Sequence, residues 1–230
     1  LEKQYPASFV KGKTYPETER YLNIRAEETS YFGPLQFSKE IEICDDNFDP
    51  AHLEKCYRRL LSVRPPKTEV PPEVGDAGSV NVYFKIDFGS FRDAQRHRKG
   101  SYKMPLLTTL HGFHPWYLER LPEESRKEAE ALIQELVPLI NSLSCSDVAR
   151  QYYIPMGFVV EASFTWTFDQ CVYVAELRSS DTVHPTYRLH AQSIGKWIEK
   201  VAPYAKLYVN YTEDSWSYRR GSQDIIEKNS

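Results

Sequence analysis

From Val80 to Met104 the chain reads VNVYFKIDFGSFRDAQRHRKGSYKM. Val80, Val82, Phe84, Ile86 and Phe88 recur at every second position. Side chains on a strand point alternately to its two faces, so this period predicts a strand with one buried face. Gly89 ends the run, and Ser90 is placed to cap a helix containing Phe91 to Arg96. The segment then turns basic: Arg92, Arg96, Arg98, Lys99 and Lys103 stand against Asp93 alone.

Upstream, Phe37, Ile41 and Ile43 suggest a short strand with one apolar face. Asp49 followed by Pro50 is an N-cap with proline in the first helical position, and Leu53, Cys56, Tyr57, Leu60 and Leu61 follow at helical spacing. Pro65, Pro66, Pro71 and Pro72 end that helix in a stiff, extended connector. Downstream, residues 101–120 show no clear period. Ala129, Leu132, Ile133, Leu136, Val137 and Ile140 form an amphipathic stripe that Pro138 is expected to bend or cut short. Ser146 and Asp147 start a short helix limited by Pro155, Phe158 to Thr167 is strand-like, and Cys171 to Leu177 suits a helix. Pro185 opens a last helix with Tyr187, Ala191, Ile194, Ile198 and Val201 on one face. Helices and strands mix without regular βαβ alternation. The expected class is α+β, a central antiparallel or mixed sheet flanked by helices. Residues 1–35, broken by Pro6, Pro16 and Pro34, read as an arm or linker; 36–212 as the folded domain; 213–230 as a polar tail.

The 230 residues carry 29 Lys and Arg against 32 Asp and Glu, a net charge of −3, with 41% hydrophobic residues. That excludes a disordered polyelectrolyte and argues against a nucleic-acid-coating protein. No apolar run is long enough to span a membrane. Cys44, Cys56, Cys145 and Cys171 form no CxxC pair and fit no zinc spacing, so no metal is expected and the thiols are read as reduced and mostly buried, in a cytoplasmic protein. Taken alone, the basic segment is either a solvated helix end or a phosphate site, since arginine forks suit phosphate oxygens.

Arg96-His97-Arg98 followed by Ser101 resembles the opening of the signature of the flavin-dependent thymidylate synthases (the ThyX family). Asp147-Val148-Ala149-Arg150 with Pro155 resembles the family's Val-Ala-Arg…Leu-Pro segment, Phe164-Thr165 its Trp-Thr, and Leu177-Arg178 its Leu-Arg. Order and gaps agree over roughly residues 80–205. The resemblance implies a ThyX-like fold, bound FAD, and reductive methylation of dUMP at C5 with methylenetetrahydrofolate and NADPH. It also implies a tetramer whose active sites are shared between subunits. Arg96, His97, Arg98 and Ser101 would contact the flavin, Arg150 would hold the nucleotide phosphate, and Arg178 would hold and polarise the uracil, the catalytic role. The chain departs from the family pattern after Ser101. Lys103 and Met104 replace Asn-Glu, Leu106 and Thr108 replace the phosphate-binding Ser and Arg, and Gly78 and Ser79 lie near the usual Glu-His. Thr167 and Asp169 replace an Asn and an Arg that touch FAD. Two expectations follow: half of a double-length enzyme completed by a companion domain, or a fold turned to a related nucleotide or folate substrate or to binding only, the last being a catalytically inactive structural or binding subunit.

Overall fold

A computed structural model describes residues 15–30 and 39–212. The chain comprises two compact units, residues 1–33 and 34–230. In the first unit, Pro16–Ser30 form helix α1, with Pro16 at its first position and Glu17 and Glu19 in its first turn, where they complement the helix dipole. Part of the expected arm is thus helical, with Pro16 opening the helix rather than interrupting it; Pro6 and Pro34 lie outside the described residues.

The second unit is built on four antiparallel strands: β1 (Ile41–Cys44), β2 (Ser79–Asp87), β3 (Ser101–Lys103) and β4 (Val159–Thr167), in the order β1-β2-β4-β3. The α+β class is thus observed, and the sheet is antiparallel throughout. Its centre is the nine-residue pairing of β2 with β4, with Tyr83 opposite Ser163. Each central strand takes one short outer strand, so the sheet has an approximate two-fold about that pair. Phe37 and the 213–230 tail lie outside the described residues.

The alternation in β2 does what its period requires. Val80, Val82, Phe84 and Ile86 are all at most 1% exposed, each worth about 1.5–3 kcal/mol of burial. Phe164 and Trp166 of β4 join them on the same face. Helices α3 (Phe88–Ala94), α7 (Phe168–Arg178) and α8 (Pro185–Val201) cover that face. The other face is polar: Thr165 donates to Asn81 at 2.8 Å, and Lys85 lies 3.7 Å from the buried Glu161 carboxylate.

Several boundaries differ from the sequence reading, each for a local reason. Asp87, not Ser90, caps α3: its carboxylate accepts from the Ser90 amide at 2.9 Å. Asp87 also accepts from the Tyr117 hydroxyl at 3.0 Å and the Thr186 hydroxyl at 2.6 Å, so this fully buried charge is met by three donors. Helix α2 (Pro50–Val63) starts on Asp49 as expected, but Pro72–Ala77 is a 3-10 turn rather than extended connector. The unassigned stretch holds β3 and the short helix α4 (Pro115–Glu119). Helix α5 (Glu123–Asn141) runs on past Pro138 to Asn141 instead of ending there. The short α6 (Asp147–Arg150) is capped by Ser146, as read. All four cysteines are free, but only Cys171 is fully buried; Cys56 and Cys145 are exposed, against the expectation of mostly buried thiols. Among the described residues no helix is long and apolar enough to cross a membrane.

Candidate functional site

Helix α3 ends at Ala94, and the chain turns through Arg96-His97-Arg98-Lys99-Gly100 into β3. This turn lies hard against β4. A Cβ on Gly100 would sit 2.3 Å from the Thr165 carbonyl oxygen and 2.4 Å from Trp166 Cδ1. Only glycine lets the basic loop approach the strand so closely.

The approach buries His97, which is 7% exposed and meets the rings of Trp166 and Tyr173 edge-on at 6.4 and 5.8 Å. Arg178, the last residue of α7, donates from Nε to His97 Nε2 at 3.0 Å and from Nη2 to the Asp93 carbonyl at 3.3 Å. Its guanidinium also lies 5.6 Å over the ring of the buried Tyr187. Because arginine can only donate, His97 Nε2 must be the acceptor and the ring proton belongs on Nδ1. Burial, aided by the Arg178 charge, pushes the imidazole down to about 4, which keeps it neutral.

Arg96, His97, Arg98 and Arg178 thus meet on one cavity of about 510 Å³. Lys99 and Gln170 also line it, and among the described residues Glu69 supplies the one carboxylate on its wall. The cavity is therefore cationic, with Arg96 lying 3.5 Å from Asp93 and with the Tyr173 ring and Leu177 as its apolar surface. Forked donors around such a space suit phosphate or carboxylate oxygens, and the aromatic wall suits a flat ring.

A second cavity of about 460 Å³ shares Glu69, Tyr173 and Leu177 with the first and is bounded by Pro66, Val70 and Tyr208. The buried Arg64 holds this wall. It pairs with Glu176 and donates to the carbonyls of Thr68 at 2.6 Å and Lys206 at 2.8 Å. The Tyr208 amide closes on Glu176 at 2.9 Å. Asp169 is buried beside the basic loop, accepting from the Thr167 hydroxyl and lying 3.8 Å from Lys99. Its charge is met by that lysine rather than turned into the cavity.

Two of the expected site residues lie elsewhere in the chain. Ser101 is exposed on β3, paired with Thr165, and does not line the cavity. Arg150, at the end of α6, pairs with Asp147 at 2.6 Å and donates to the Leu143 and Cys145 carbonyls at 3.3 and 3.4 Å. Its buried Nε makes no hydrogen bond among the described residues. Sequence reasoning missed Glu69, Gln170, Tyr173 and Leu177. Gln170, Tyr173 and Leu177 follow an i, i+3, i+7 pattern, so they share a face of α7, and Leu177 was already part of the Leu177-Arg178 pair. Glu69 comes from the proline-rich connector, whose path no local pattern specifies. Among the described residues no cluster of His, Cys, Asp and Glu suits a metal ion.

No protein-family model matches the chain. It is similar to a UPF0159 protein of Chlamydia pneumoniae, 30% identical over 131 residues, which are 56% of this chain and 24% of that protein. A UPF0159 protein of Thermoplasma acidophilum is 31% identical over 130 residues, 54% of this chain and 26% of that protein. One from Chlamydia muridarum is 29% identical over 131 residues, 56% of this chain and 24% of that protein. The matched stretch thus spans about a quarter of these curated relatives, whose chains run to about 550 and 500 residues in the first two cases.

Proposed function

We propose that this chain is a flavin- and nucleotide-binding subunit or half of a thymidylate-synthase-like enzyme, a cytoplasmic flavoprotein acting on dUMP or a related uridine nucleotide. The observation that carries the reading is the convergence of Arg96, His97 and Arg98 with the chain-distant Arg178 on one cationic cavity. The donor set fits the group: arginine forks for phosphate oxygens, a neutral imidazole and an aromatic wall for rings. FAD would be held by the Arg96–Arg98 loop, and Arg178, anchored through His97 and the Asp93 carbonyl, would hold the uracil and stabilise negative charge on it. Bound flavin supplies the redox chemistry, with NADPH and methylenetetrahydrofolate as cosubstrates; the protein binds and orients.

A companion domain or further copies would complete the site. Arg150 and Ser101 lie outside the cavity within one subunit, and the matched relatives are more than twice this length. The same placement favours a second reading, a catalytically silent binding subunit. Titration with FAD followed by visible absorption tests the first reading. Bound flavin is expected, and Arg178→Ala should abolish uridine-nucleotide binding while leaving the circular dichroism unchanged. No flavin binding, or undiminished nucleotide affinity in the variant, would refute the assignment for this chain.

A further inference from the structure

Away from the cationic cavity, helix α2 and the 3-10 turn at Pro72–Ala77 bring together a thiol, an imidazole and a carboxylate. Cys56 and His52 lie one helical turn apart on α2, with Sγ 3.8 Å from His52 Nδ1. The other ring nitrogen, His52 Nε2, is 3.0 Å from Asp76 Oδ1. Asp76 is itself pinned: the Tyr57 hydroxyl donates to its Oδ2 at 2.7 Å and also lies 3.0 Å from the Glu73 carbonyl. That bond pushes the Tyr57 hydroxyl up to about 12, so it remains a donor at any ordinary pH. An ionised carboxylate only accepts, so the proton on His52 sits on Nε2 and the bare Nδ1 faces the thiol. The backbone supports the same pose, since Asp49 caps the His52 amide at 2.9 Å.

We propose that Cys56 is the reactive thiol of this chain and a site of mixed-disulfide formation with small disulfides, with His52 as its base and Asp76 as the group that orients the base. This is nucleophile, base and orienter in one line, the arrangement that activates cysteine elsewhere in chemistry. In the step, His52 Nδ1 takes the Cys56 proton and Sγ attacks one sulfur of a low-molecular-mass disulfide. A Cys56–sulfur bond forms, the original disulfide bond breaks, and the leaving thiolate recovers the proton from His52. No further oxidant is consumed.

The chain contains its own control. Cys145 is also free and exposed, but has no such relay among the described residues. The other two thiols are disfavoured: burial and the neighbouring Glu42, Asp46 and Asp45 raise Cys44, and full burial raises Cys171. The test is brief exposure of the full chain to oxidised glutathione near neutral pH, with adducts at Cys56 and Cys145 compared by peptide mass spectrometry. Adduct formation should be about ten-fold faster at Cys56. His52→Gln and Asp76→Asn, checked for folding by circular dichroism, should bring Cys56 down to the Cys145 rate. Equal rates at the two cysteines in the unmodified chain, or a preference that survives both substitutions, would overturn the proposal.

Discussion

His97 shows how a single side chain can be visible in the sequence while its role is not. Its place between Arg96 and Arg98 makes it a candidate for contacting a ligand ring. The structure adds that it accepts a hydrogen bond from Arg178, a partner 81 positions away that no local pattern reveals. Arg178 itself was legible through Leu177-Arg178, whereas Glu69 was not, because its side of the cavity is made by the path of a proline-rich segment. The buried imidazole has a titration consequence. An unfolded histidine titrates near about 6.5, whereas His97 in the fold is held down to about 4. Between those values the unfolded chain binds more protons at this position. The stability that comes from keeping His97 neutral is therefore complete above about 6.5 and is lost as pH falls toward 4. Because the shifts at His114, His184 and His190 have the same direction, the informative quantity is a difference. His97→Gln should lose stability less steeply than the parent over that window in urea titrations. Parallel curves would remove His97 from the acid response.

At the scale of elements, the sequence spoke clearly where periodicity was strong and ends were marked. The alternation of Val80 to Ile86 and the Asp49-Pro50 start of α2 both appear where their patterns place them. It spoke poorly where an element owes its existence to a neighbour. The three residues of β3 have no apolar period of their own; they are a strand because Ser101, Tyr102 and Lys103 pair with Thr165, Phe164 and Ser163. Of the two outcomes expected at Pro138, a bend or an early end, the early end does not occur. A proline in the last turn gives up one amide donor, and the helix closes past it through the Ser142 amide on the Pro138 carbonyl at 3.0 Å. The joint between the basic loop and β3 is the element-level feature most open to test. Gly100→Ala would drive a methyl group into the Thr165 carbonyl and the Trp166 ring. It should cost about 1–3 kcal/mol, seen as a lower Tm, and weaken anion binding as the loop lifts. An unchanged Tm would show that the close approach is not required.

At the scale of the whole molecule, the α+β class was legible from the mixture of periods, while the strand order was not, since nothing local says that β4 inserts between β2 and β3. On α5, Ile133, Leu136 and Val137 of the stripe pack against the core, and two leucines of the same helix do not. Ile140 is buried, but Leu132 and Leu139 remain 65% and 63% exposed. Exposed leucines on one helix, together with the Arg150 Nε that finds no acceptor among the described residues, fit the shared-site assembly proposed above. Sedimentation should therefore give a mass above that of the single 26.8 kDa chain, and Leu132→Glu with Leu139→Glu should reduce it to one chain. A particle that is monomeric at every concentration would contradict the shared site. One further property follows from the way β2 passes into α3 and β4 into α7 without an intervening residue. The two arms that present the cationic groups are rooted in adjacent strands and share no hinge. Peeling those strands apart and dissolving the cavity are then a single cooperative event, so no partly melted form of this unit retains a competent pocket.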